Sequence, residues 1–137
     1  MINYFAILLC AIVSMVVGAV WYGPIFGKKW MHVIGATAHD LEARKKMQKK
    51  AGPLYLVQFL LTLFQVYVLA YLVAAWPGAN AILLALFLWA GFLVPTIAAG
   101  AMWNNDSSRV AWTRFLIQAL YQLLMFTVYG YIINVLQ

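Results

Sequence analysis

The chain has 137 residues, 66% of them hydrophobic and 9% charged, and a formal net charge of +6. Soluble domains average about 25% charged residues, so an ordinary water-soluble domain is excluded. A nucleic-acid binder is excluded too, because no soluble basic face remains outside the apolar runs to grip phosphate.

An apolar run of ~20 residues crosses the hydrocarbon layer as a helix, and four such runs lie at residues 2–22, 53–76, 79–103 and 110–136. None shows strand alternation, and lipid forces each backbone group to bond within its own segment. The predicted fold is an all-α integral membrane protein, a single domain over residues 1–137 built as a bundle of four transmembrane helices.

The first run carries Ala6, Cys10, Ser14 and Gly18 at four-residue spacing, on one helix face. Small residues in that pattern let another backbone approach closely, within the bundle or across an oligomer, and a homo-oligomer is expected. Cys10 is the only cysteine, so no intrachain disulfide forms. The run differs from a signal peptide: no basic residue precedes it, it exceeds a typical h-region, and its positive charge follows it.

Gly23-Pro24-Ile25-Phe26-Gly27 breaks this helix, and Lys28-Lys29-Trp30-Met31 reads as an interfacial re-entry. Later in the link over 23–52, Thr37-Ala38-His39-Asp40 resembles a capping box with Asp at its last position. Residues 41–50 are predicted as a short cytoplasmic amphipathic helix. Asp40 and Glu42 lie in its first turn and its lysines in its last, as the helix dipole favours. Gly52-Pro53 is expected to end it and open the second span. His32, His39, Asp40 and Glu42 match no metal-ligand spacing, so neither metal nor cofactor is predicted.

The second run places Gln58, Thr62 and Gln65 at i, i+4 and i+7, one stripe of a helix. Gln118, Tyr121 and Gln122 stand at comparable positions in the fourth. Both helices enter from the same side, so Gln58 and Gln118 should share a depth. An amide facing lipid would be unsatisfied, so the stripes should face protein or a wet cavity. Two readings follow: interhelical hydrogen bonding, worth only ~0.6 kcal/mol per bond in one membrane host, or a polar ligand site formed by these six residues. Between these runs, Trp76-Pro77-Gly78 turns the chain into the third. There Pro95 frees the carbonyl of Gly91, Thr96 is placed to re-satisfy it, and the pair reads as a static kink or a gating hinge.

No Asp, Glu, Lys, Arg or His lies deep in any run. Buried ionisable groups mark proton relays and ion coupling, so a proton-driven antiporter is disfavoured. No nucleophile–base spacing, phosphate loop or dinucleotide fingerprint is present, and no enzyme is expected.

All nine Lys and Arg residues fall in two places. Lys28, Lys29, Arg44, Lys45, Lys46, Lys49 and Lys50 crowd the first link; Arg109 and Arg114 flank the fourth run. Basic segments stay cytoplasmic, which predicts both termini outside and the link against anionic headgroups, attracted by ~1 kcal/mol per basic residue. Interfacial aromatics agree: Trp21, Tyr22, Tyr55, Trp103 and Trp112 should mark the cytoplasmic boundary, and Tyr4, Trp76 and Tyr131 the outer one. A faint repeat adds an architecture. Gly18-Ala19-Val20-Trp21 returns as Gly100-Ala101-Met102-Trp103, Leu56-Val57-Gln58 as Leu116-Ile117-Gln118, and Val68-Leu69-Ala70-Tyr71 as Val128-Tyr129-Gly130-Tyr131. The bundle is thus expected to be two helical hairpins in the same orientation.

Gly18-Ala19-Val20-Trp21-Tyr22-Gly23-Pro24, Phe26-Gly27-Lys28-Lys29-Trp30, Gly52-Pro53-Leu54-Tyr55 and Trp89-Ala90-Gly91-Phe92-Leu93-Val94-Pro95-Thr96 together resemble the hallmarks of the DUF1761 family. The similarity covers nearly the whole chain. It departs where members often carry an Asn-Ala-Gly-Tyr-like stretch in the last span and this chain has Ile117-Gln118-Ala119-Leu120-Tyr121. The resemblance implies a small integral protein of a bacterial plasma membrane, and implies no activity or catalytic residue. The functional expectation is a protein that binds or passes a small neutral or amphipathic molecule. The alternative is a structural or partner-binding subunit, and a membrane-embedded enzyme comes third.

Overall fold

The computed structural model describes residues 1–33 and 41–137, except the side chains of 41–44, 47 and 48. The capping box expected at 37–40 lies outside them. Among the described residues, four helical stretches are long and apolar enough to cross a membrane: Tyr4–Ile25, Lys49–Ala75, Ala81–Met102 and Ser108–Leu136. The four apolar runs of the sequence are these spans, shifted by a few residues at their ends.

Helix α1 (Tyr4–Val20) starts at Asn3, whose side-chain oxygen accepts the Ala6 N–H at 3.2 Å. The expected break at Gly23-Pro24 is a π turn over Trp21–Ile25, closed by Phe26 N–H on Trp21 O at 3.0 Å. The wider bonded ring lets the chain absorb the donor that Pro24 lacks. A short helix α2 (Gly27–Val33) follows.

The separate amphipathic helix predicted for 41–50 is corrected: those residues form the first turns of one helix, α3 (Leu41–Ala75), with Pro53 inside it. Pro53 removes the bond to the carbonyl of Lys49 and its ring crowds that carbonyl. Lys49 and Lys50 are exposed, so that carbonyl can be solvated and the helix continues.

After a turn at Gly78 (φ +83°), Asn80 caps α4 (Ala81–Leu88) by accepting from Ile82 and Leu83 at 3.0 and 3.1 Å. A second π turn (Trp89–Leu93) leads into α5 (Val94–Met102), with Pro95 in its first turn, where a missing donor is least costly. Thr96 donates to Phe92 O at 2.6 Å, not to the Gly91 carbonyl as expected, because a helical threonine hydroxyl reaches the carbonyl four residues back. Ser107 caps α6 (Ser108–Leu136).

Helix α6 is the hub, packed against α1, α4 and α5, while α3 lies mainly on α1. The core joins Ile7 and Cys10 of α1, Val66, Leu69 and Ala70 of α3, Ala81 and Ala85 of α4, and Met125, Phe126, Tyr129 and Ile133 of α6. Chain termini close the same end: Asn3 Nδ2 donates to Leu136 O at 2.9 Å, and Gln137 Nε2 to Ala70 O at 3.0 Å. The small-residue stripe belongs to this interior. Ala6, Cys10 and Ser14 are buried in their own chain and Gly18 faces Tyr121, so the stripe is not an outward surface for a second copy.

The opposite end carries the basic residues and is built differently. Every residue from 52 to 58 of α3 is exposed. Two full turns of exposure cover all sides of a helix, so this half of α3 stands away from its neighbours. The predicted aromatic belt needs a correction here as well. Trp103 and Trp112 are exposed, but Trp21 and Tyr22 turn inward, because the π turn rotates them toward α6.

Candidate functional site

The gap left by α3 is a cleft of about 660 Å³ at the basic end of the bundle. Its walls come from every span: Ser14, Gly18 and Tyr22 from α1 and its π turn, Trp30 from α2, Leu54, Tyr55 and Gln58 from α3, Ile97 from α5, and Gln118, Tyr121 and Gln122 from α6. Among the described residues, no Asp, Glu, Lys, Arg or His lines it. Its electrostatics therefore come from neutral amide and hydroxyl dipoles in a low-dielectric surround.

Of the six residues singled out in the sequence, four line this cleft: Gln58, Gln118, Tyr121 and Gln122. Gln58 lies about 14 Å from the Lys49 end of its apolar helix and Gln118 about 15 Å from the Ser108 end of its own, at 1.5 Å per residue. Thr62 and Gln65 are not among the lining residues. Thr62 is buried and donates to Gln58 O at 2.8 Å, and Gln58 Nε2 donates to Thr62 Oγ1 at 3.3 Å. Both bonds stay within α3. The amides of Gln118 and Gln122 make no side-chain hydrogen bond among the described residues. Gly91 and Pro95 do not line the cleft, although Ile97 beyond them does. No cluster of metal-ligating side chains occurs among the described residues.

Tyr121 shapes the deep wall. Its hydroxyl donates to Ser14 O at 2.9 Å and sits 3.2 Å from Ser14 Oγ, which can donate back to it. Gly18 makes room, since a Cβ there would stand 3.0 Å from the Tyr121 hydroxyl. Tyr22 meets Trp30 and Tyr121 edge to face, at centroid distances of 4.8 and 5.3 Å, an arrangement aromatic quadrupoles favour.

Two residues that sequence reasoning missed fix the helix bearing the glutamines. Trp21 Nε1 donates to Ile117 O at 3.1 Å, and Trp89 Nε1 to Ala119 O at 3.0 Å. The carbonyls on either side of Gln118 are thus held by indoles, and each indole belongs to the first residue of a π turn. The signal was in the chain: both Trp21 and Trp89 stand two residues before a glycine, at the two places among the described residues where the α register widens. A third tie holds α2. Arg114 Nη2 donates to Val33 O at 2.9 Å and pairs with Asp106 at 3.1 Å. This joins the two basic clusters at one end of the molecule and fixes the helix that carries Trp30.

The family model described as "Protein of unknown function (DUF1761)" matches residues 5–134. The chain belongs to this family. No curated protein and no solved structure matches it.

Proposed function

We propose that this membrane protein binds or passes a small neutral or amphipathic molecule in the cleft between α3 and α6, with Gln58, Gln118, Tyr121 and Gln122 as its contacts. One observation carries the reading: two glutamine amides, inside a membrane span and lining a roomy cleft, lack protein partners among the described residues. A polar group withdrawn from water without a bond costs ~1–3 kcal/mol on mutational scales, so a molecule or ordered water should meet them. The rival reading, a purely structural subunit, would use the glutamines to join helices. Around the cleft, the bonds that join spans are instead made by Trp21, Trp89 and Tyr121.

In this reading the protein is no enzyme and needs no cofactor. It sits in a bacterial plasma membrane with both termini outside and its basic end against anionic headgroups. It assembles as a homo-oligomer through faces other than the α1 stripe. Gln58→Leu combined with Gln118→Leu tests the site, using structures in lipid and thermal melts of both forms. The expected outcome is loss of density from the cleft with the fold and melting temperature retained, since apolar groups replace part of an underbonded cluster. A wild-type structure with the cleft closed and its amides bonded to neighbouring helices would refute the proposal.

A further inference from the structure

Resting on the reading that the cleft is an occupied site, we infer that its occupant is a lipid-borne molecule with a flat, uncharged, carbonyl-bearing head and an apolar tail, the chemistry of the quinone class. Four features converge on it.

The first is charge. Among the described residues, no acidic, basic or histidine side chain lines the cleft, so a phosphate or ammonium head drawn into it would lose its hydration without gaining a counter-ion. The head must be neutral. The second is hydrogen bonding. Gln118 and Gln122 stand one turn apart on α6, so their amides project from one face. Each offers two N–H donors with no acceptor among the described residues. Ring carbonyls are acceptors only, and a pair of them across a ring matches donors arrayed along a helix turn. An acyl tail reaching this depth would leave the same donors bare, which rules against a phospholipid inserted tail first.

Wall shape is the third feature. Tyr22 packs edge to face between Trp30 and Tyr121, and with Tyr55 these rings supply flat aromatic surface. Such surface suits a planar ring, which gains from offset or edge-on contact. The fourth is access. Residues 52–58 of α3 are exposed on every side, so the cleft communicates with the bilayer along α3. A tail can stay among lipid chains while the head enters, without crossing water.

The test uses the full chain in nanodiscs of zwitterionic phosphatidylcholine, which carries no net charge. Two probes share a ten-carbon tail: decylubiquinone, which has the carbonyls, and decylbenzene, which does not. Melting temperature is followed as each is titrated. Saturable stabilisation by decylubiquinone and none by decylbenzene is expected. Gln118→Leu and Gln122→Leu should each weaken the quinone's midpoint about five- to tenfold, the value of one hydrogen bond. Equal stabilisation by both probes, or quinone binding unchanged in both glutamine variants, would overturn the quinone assignment and leave an apolar slot. The wild-type probe comparison decides this even if a variant fails to fold. No stabilisation by either probe also overturns it. In that case density in the cleft of the untreated nanodisc structure keeps the broader binding proposal alive, and an empty, closed cleft ends both.

Discussion

Gly18 and Gly130 look alike in the sequence, as small residues in apolar helices, and the structure separates them. A Cβ on Gly130 would lie 2.7 Å from the Ile82 Cα and 2.9 Å from the Ala81 carbonyl oxygen. Those are backbone atoms at the start of α4, so the whole helix must move to admit a methyl group. A Cβ on Gly18 would meet only the tip of the Tyr121 side chain, at 3.0 Å, and a ring can tilt. Mid-helix Gly→Ala by itself favours the helix by about 1 kcal/mol. Gly130→Ala should therefore lower stability by about 1–3 kcal/mol, the usual cost of overpacking. Gly18→Ala should come out near neutral. Thermal melting in one detergent checks the ranking, and equal melting temperatures would show that α4 is not seated on Gly130. The sequence repeat aligns Gly130 with Ala70, and both are buried. Nothing in the pattern said which of the two faces a backbone, because closest approach is a property of two helices and periodicity describes one.

The elements that shape the cleft are its irregular ones. Four long apolar runs are legible because a span is set by composition and length, which the sequence states directly. That Gln58 and Gln118 line one cleft is legible because α-helical rise is constant. The π turns at Trp21–Ile25 and Trp89–Leu93 show in the sequence only as a break and a kink. A proline announces a missing donor and not how the chain will re-bond. Likewise Gly52-Pro53 read as a boundary, yet α3 runs through it, because the cost of proline depends on whether the freed carbonyl reaches water. Helix α2 offers a sharper test at this scale. With seven residues it is too short to persist alone, so its place depends on Arg114 holding Val33 O and Asp106. Arg114→Gln should raise amide hydrogen exchange across Gly27–Val33 while leaving the buried core of α6 protected. Unchanged exchange in α2 would mean that its aromatic contacts hold it without the arginine.

At the scale of the whole molecule, the two ends differ in packing and in charge. One end is knitted shut by Asn3, Ala70, Leu136 and Gln137 around a buried core. At the other, α3 parts from its neighbours and the exposed Lys28, Lys29, Lys45, Lys46, Lys49 and Lys50 gather. Because Arg114 touches Val33, both basic clusters share that open end, so one orientation satisfies the positive-inside tendency for all of them. The cleft would then open toward the cytoplasm and the inner leaflet, and a molecule passing outward would have to part the knitted end. The last prediction follows from this asymmetry. In a Cys10→Ala background, Trp76→Cys probes the turn between α3 and α4, where the native side chain is exposed. Lys45→Cys probes the exposed face of α3 at the basic end. Gln137 is a poorer reporter, because its amide ties Asn3 to Ala70. In intact cells, a membrane-impermeant maleimide should label the cysteine at 76 and spare the one at 45, and opening the cells should make both reactive. The reverse pattern would place the cleft on the outside, and a molecule entering it would come from the outer leaflet.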